Sequence, residues 1–141
     1  MDLKIRKFNP KSIKDDKVCV FIGRRGTGKS VTLFDILWHH RHIPGGVAMS
    51  GTEDGNAAYS NIVPDSFVYS DYHPDVIDSV MERQKQMQLR KVPNSGMFVV
   101  LDDLGFDAKI LKEKSMRYLF MNGRHLNIFL CMTFQDRKSV V

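Results

Sequence analysis

Residues 23–30 read Gly-Arg-Arg-Gly-Thr-Gly-Lys-Ser and satisfy every fixed position of the pattern G-x-x-x-x-G-K-[ST]. With glycine at about 7% of average composition, such a match arises by chance in about one chain of this length in a few hundred. The pattern suits a nucleoside triphosphate. A glycine-rich turn lets successive backbone N–H groups point inward around several negative charges. Gly23, Gly26 and Gly28 accept backbone angles or close approaches that a side chain would obstruct. A helix beginning near Lys29 adds the positive end of its dipole. Lys29 is expected on the β- and γ-phosphates and the Ser30 hydroxyl on Mg²⁺. The nucleotide-binding segment is therefore Gly23, Arg24, Arg25, Gly26, Thr27, Gly28, Lys29, Ser30 and Val31. Arg24 and Arg25 fill free positions of the pattern. They read either as solvated loop charges or as contacts to a neighbouring subunit's phosphate or another polyanion.

A second group of reactive side chains follows about seventy residues later, where Met97–Leu101 runs into Asp102 and Asp103. An apolar strand that delivers acids at its carboxyl end places them in the ligand crevice of an open α/β sheet. Alone the signal is weak; after a complete phosphate-binding loop it is strong. Asp102 is expected to hold Mg²⁺ through a bound water, and Asp103 to polarise the attacking water. Gln135 follows the last apolar strand. If that strand lies between the strand of the phosphate loop and the strand of Asp102, Gln135 falls beside the γ-phosphate. There an amide can orient water or sense phosphate, because it both donates and accepts. Otherwise it is an ordinary polar residue at a strand end. Arg124 stands at the mouth of the same strand. It reads as a structural salt-bridge partner or as an arginine supplied across a subunit interface, worth roughly 10³–10⁵ in rate where it operates.

Positioning these groups requires alternating strands and helices, the pattern of βαβ units and a parallel sheet. The spacing predicts strands at Lys17–Ile22, Val47–Ser50 and Met97–Leu101, another at Asn127–Phe134, and a short extra one at Phe67–Tyr69. It predicts a helix from Ser30 to about His42, apolar on most sides except Thr32, Asp35 and His39, packed deeply against the sheet and ended by Pro44-Gly45-Gly46. A second helix runs from Pro74 to about Lys91, with Arg83, Lys85, Arg90 and Lys91 on its outer face. These read as a solvated face or a nucleic-acid contact. Residues 51–66 read as loop. A third helix spans about Lys109–Met121 and stops at Asn122-Gly123, a favourable C-cap pair.

The 141 residues are enough for one domain with a sizeable core. No apolar run approaches the ~18 residues of a membrane span. The charged first seventeen residues do not form a secretory signal. Cys19 and Cys131 fall in strands and read as buried thiols of a reducing compartment. A net charge of +5 permits a nucleic-acid partner without requiring one. His39, His40 and His42 are explained by the dipole at a helix C-terminus, and no matching ligand in the nearby sequence supports zinc.

The segments GRRGTGKS, FVVLDD and NGRHLNIFLCMTFQ together resemble the genome-packaging ATPases of large nucleocytoplasmic DNA viruses, in the FtsK–HerA group of P-loop ATPases. The likeness runs from about residue 14 to 136. It implies a three-layer α/β/α fold of the additional-strand type, with a mainly parallel sheet in the order 5-1-4-3-2. The chain stops at Val141, so the fifth of those strands is expected to be missing and residues 1–141 to be a single, C-terminally incomplete P-loop ATPase domain. By position the resemblance gives Lys29 and Ser30 the loop roles, Asp102 the metal, Asp103 the water, Gln135 the sensor and Arg124 the trans-acting role. It further implies ATP and Mg²⁺ as cofactors and a homo-oligomeric ring. The work would be translocation of double-stranded DNA into a capsid beside a capsid or portal component, at an assembly site in the host cytoplasm or in the virion. The competing reading is a nucleotide-binding module or switch that does not hydrolyse. A GTPase is disfavoured by the lack of Asn-Lys-x-Asp, and a small-molecule kinase by the lack of a basic lid.

Overall fold

The computed structural model describes residues 7–24, 28–104 and 108–135; the side chains at 53, 54, 108, 109 and 135 lie outside that description. Five strands form one parallel sheet: β1 (Val18–Gly23), β2 (Gly45–Ser50), β3 (Val68–Tyr69), β4 (Met97–Asp102) and β5 (Ile128–Gln135). Their order is β1-β5-β4-β2-β3. With the two-residue β3 set aside as the extra strand, this is the 1-4-3-2 portion of the expected order, with β3 added at the far edge. The last long strand lies between the strand of the phosphate loop and the strand of Asp102.

The helices are α1 (Lys29–His39), α2 (Glu53–Tyr59), α3 (Pro74–Leu89), α4 (Ala108–Leu111) and α5 (Lys114–Asn122). Alternation along the strands divides the core into two halves, because successive side chains point to opposite faces. Ala48, Phe98, Val100, Phe129 and Cys131 pack with Leu33, Ile36 and Leu37 of α1 and Tyr59 of α2. Val47, Met49, Val99, Leu101, Leu130 and Met132 pack on the other face with Ile77 and Met81 of α3 and Met116 and Leu119 of α5. β4 is buried at all of its positions, as a continuous apolar run in a covered parallel sheet should be. β1 is different. Among the described residues it forms the sheet edge, and its alternate positions Val18, Val20 and Ile22 are exposed.

Three expectations need correction. Residues 51–66 are not all loop: α2 forms there because the Thr52 side chain caps it, accepting from the Gly55 N–H at 3.0 Å. α1 is shorter and less deeply packed than its composition suggests, ending at His39 with Val31 and Trp38 exposed. The helix expected over Lys109–Met121 is interrupted before Lys114, where Glu113 acts as N-cap for Ser115 and Met116. The expected stop at Asn122-Gly123 holds: α5 ends at Asn122 with Gly123 as its C-cap, at φ −55°, and the chain runs on through a 3₁₀ turn, Gly123–Leu126, to Asn127 at φ 56°. Cys19 and Cys131 are free thiols in register on β1 and β5, Cys131 buried and Cys19 partly so.

Candidate nucleotide site

All five strands are parallel, so their carboxyl ends meet at one edge of the sheet, where open α/β folds bind ligands. The register sets the levels within that edge. Gly23 is opposite Gln135 at the tip, and Asp102 is opposite both Thr133 and Ser50 further in. Gly28 stands between β1 and α1 with φ +84°, a left-handed conformation that glycine adopts without strain, and caps the helix with no side chain in the way. Arg25, Gly26 and Thr27 lie outside the described residues. Arg24 and Ser30 are exposed, Ser30 in the first turn of α1. Lys29 folds back over the strand ends: its Nζ donates to the Gly23 carbonyl at 2.8 Å and to the Phe134 carbonyl at 2.9 Å. One ammonium therefore joins the last turn of β1 to the residue before Gln135.

Asp102 lies beneath this lysine level and is only 6% exposed. Both carboxylate oxygens accept hydrogen bonds, Oδ1 from the Thr133 hydroxyl at 2.5 Å and Oδ2 from the Tyr59 hydroxyl at 2.8 Å. Burial, followed by the Asp102 charge, pushes the Tyr59 hydroxyl far above its ordinary range. Asp103 is exposed and sits at φ 50°, an uncommon angle that aspartate tolerates better than most residues. Its backbone N–H donates to the same Thr133 hydroxyl at 3.0 Å, which fixes the turn carrying the two acids.

The oxygen donors Ser30, Asp102 and Asp103 suit a hard cation. Among the described residues no group of three or more His, Cys, Asp or Glu side chains gathers to hold a metal. A hydroxyl and one or two carboxylates are an oxygen set of the kind that holds Mg²⁺ together with waters and substrate phosphates. By register Asp102 lies one residue short of Phe134, whose carbonyl Lys29 contacts; Arg124 lies elsewhere. It is exposed in the 3₁₀ turn before β5, and the eight residues of that strand put roughly 23 Å between the turn and Gln135. Gln84 and Gln88 of α3 hold this turn, donating to the carbonyls of Leu126 and His125. Two of the histidines clustered at the end of α1 meet carbonyls and an aspartate. His40 is buried, with ring nitrogens 2.7 Å from the Ile36 carbonyl and 2.6 Å from that of Ile13, and His42 lies 2.7 Å from Asp15.

Sequence reasoning missed Thr133 and Tyr59. A threonine inside the otherwise apolar run Ile128–Phe134 was the signal for the first, since a buried polar side chain asks for a partner. Tyr59 gave none, standing in a stretch that reads as loop.

No family model matches the chain. The uncharacterized protein 015R of frog virus 3 is 38% identical over 140 residues, covering 96% of this chain and 44% of that protein. Uncharacterized protein 075L of invertebrate iridescent virus 6 is 36% identical, covering 96% of this chain and 52% of its own length. The chain thus spans about half the length of the viral relatives it matches. Among solved structures, the genome packaging NTPase B204 of Sulfolobus turreted icosahedral virus 2, in complex with AMPPCP, superposes with a TM-score of 0.55. The identity is 16%, covering 88% of this chain and 67% of that one. The pCW3 conjugation coupling protein TcpA, with ATPγS, gives a TM-score of 0.52 at 18% identity, covering 87% and 44%. The fold resembles P-loop ATPase structures.

Proposed function

We propose that the chain is the Mg²⁺-dependent ATPase core of a motor that translocates double-stranded viral DNA into capsids, working as a homo-oligomeric ring beside a capsid or portal component. The observation that carries this reading is the insertion of β5 between β1 and β4, with Lys29 bridging the ends of β1 and β5 above buried Asp102. A bound triphosphate takes the place of the two carbonyls that Lys29 now contacts. Ser30 and Asp102 would hold Mg²⁺, which would supply charge neutralisation at the transferred phosphoryl group. Asp103 polarises the attacking water and Gln135 senses the γ-phosphate. Support for the packaging role comes from the likeness to B204, and for a viral setting, at a cytoplasmic assembly site or in the virion, from the iridovirus relatives and the mimivirus protein L437.

The placement of Arg124 favours a second reading for the isolated chain. Lying at the opposite end of the sheet from its own nucleotide, it acts only on a neighbour's. A chain alone is then a nucleotide-binding module with little turnover. Steady-state ATP hydrolysis with and without duplex DNA separates the two states. Assembled protein is expected to show DNA-stimulated turnover, reduced at least about a hundredfold by Asp103→Asn while ATP binding survives. Normal cycling by Asp103→Asn removes it from water activation. Arg124→Ala is expected to poison neighbouring subunits in mixed assemblies, and full activity of an all-mutant assembly excludes the trans role.

A further inference from the structure

We infer that Tyr59 is a positioning residue for the magnesium site: its hydroxyl sets the orientation of the Asp102 carboxylate and its ring spaces that carboxylate from the helix that follows the phosphate loop. The inference rests on the nucleotide site proposed above. A carboxylate turns freely about its Cβ–Cγ bond, and holding a metal-bound water needs one lone pair aimed in one direction. Asp102 has that freedom removed from both sides, by Thr133 on Oδ1 at 2.5 Å and by Tyr59 on Oδ2 at 2.8 Å. Each oxygen keeps a second lone pair, so the grip orients the group without saturating it.

The two hydroxyls come from different parts of the fold. Thr133 belongs to the neighbouring strand β5, whereas Tyr59 ends α2, which has no backbone pairing with β4. Gly55 eases the approach of α2: a Cβ there would lie 2.2 Å from the Ser50 Oγ and 3.2 Å from the Ser50 Cβ, so a side chain would crowd the strand end paired with Asp102. The fully buried Tyr59 ring packs on Phe34 of α1, their centroids 5.1 Å apart. Phe34 is one turn beyond Ser30, and residues four apart share a helix face. Tyr59 therefore stands between the helix that carries Ser30 and the carboxylate of Asp102, the two groups expected on either side of one cation.

Tyr59→Phe separates the roles, because it keeps the ring and removes the hydroxyl. The readout is binding of a fluorescent ATP analogue as Mg²⁺ is titrated from EDTA upward, beside thermal melting without nucleotide to fix a temperature at which every variant is folded. For the unaltered chain, Mg²⁺ should strengthen binding, and Asp102→Asn should lose that increment. Tyr59→Phe should retain the affinity seen in EDTA and need about tenfold more Mg²⁺ for half-saturation, the lower end of what losing a hydrogen-bond partner of a metal ligand costs. An unshifted Mg²⁺ requirement in Tyr59→Phe, with the Asp102→Asn loss intact, overturns the positioning role and leaves the nucleotide site standing. No Mg²⁺ effect in the unaltered chain overturns both. Should Tyr59→Phe fail to fold, Thr133→Val removes the other hydroxyl from the same carboxylate at nearly constant volume. The same titration then applies: a raised Mg²⁺ requirement supports orientation of Asp102 by its hydroxyl partners, and an unshifted one overturns it.

Discussion

Tyr59 on Asp102 and Tyr72 on Glu113 are the same chemical pair in two settings. At the carboxyl edge of the sheet, Asp102 is buried and takes two hydroxyl donors, one on each oxygen. On the α3/α5 face, Glu113 is partly exposed and takes three donors. Tyr72 reaches Oε2 at 2.5 Å, the Met116 N–H shares that oxygen, and the Ser115 N–H takes Oε1. Glu113 spends its capacity on orphan N–H groups at the start of α5, a structural use of charge at a helix N-terminus. Among the described residues Asp102 caps no helix. Its charge is held in the fold by two neutral hydroxyls, an arrangement that makes sense when a cation arrives with the ligand. On the proposed function, the contrast separates a carboxylate used by the fold from one left for a cation.

Ligand binding offers the largest effect that could break this contrast. Lys29→Ala is expected to weaken ATP binding by roughly a hundredfold, about 2.7 kcal/mol, by removing charge-assisted bonds to the phosphates. Glu113→Gln should leave ATP affinity unchanged in the same titration. Equal losses in both variants would dissolve the distinction between the two regions.

Stability comes next. Tyr59→Phe leaves a buried carboxylate short of one donor and is expected to cost about 2 kcal/mol, whereas Tyr72→Phe, at a half-buried pair, should cost about 1 kcal/mol or less. Chemical denaturation of the two variants checks the order, and a larger loss at Tyr72 reverses the account of which carboxylate is desolvated.

The smallest effect is in pH. Burial acts to raise Glu113, but the Tyr72 hydroxyl and the two backbone N–H donors outweigh it and hold the carboxyl below its ordinary value of 4.5. A depressed folded value means that this stabilisation is present above pH 4.5 and fades as pH falls below it. Burial and Glu113 raise Tyr72 above its ordinary 10.0, so the same pair also weakens as pH climbs past 10. Glu113→Gln should therefore flatten part of the acid limb of the stability curve. An unchanged acid limb removes Glu113 from acid unfolding.

Much of the nucleotide edge was legible because its information is local. The glycine spacing at 23–28, the apolar run ending at Asp102 and the run ending at Gln135 each identify a strand end from neighbouring residues alone. The strand order needed more than local pattern, and the resemblance supplied it. α2 was missed for a physical reason. Gly55 and Asn56 weaken its helical propensity, and what holds it is a contact with Ser50 and the burial of Tyr59, both set by tertiary structure. The Thr52 cap before Glu53 and Asp54 was the one local sign. The break before α5 was hidden because glutamate is a good helix former in mid-helix, and only the N–H groups of Ser115 and Met116 show that Glu113 is a cap. Val31 and Trp38 misled for the opposite reason: their apolar character suggested burial that no neighbouring element provides among the described residues.

The central claim is that Lys29 and Asp102 share one Mg²⁺–triphosphate site, and a crystal structure of the chain with Mg²⁺ and a non-hydrolysable ATP analogue tests it most directly. The account predicts that the Lys29 Nζ leaves the Gly23 and Phe134 carbonyls for the β- and γ-phosphate oxygens, with Mg²⁺ beside Ser30 and one of its waters on Asp102. Nucleotide bound elsewhere, or bound here with Lys29 still on those carbonyls and Asp102 remote from the cation, contradicts it.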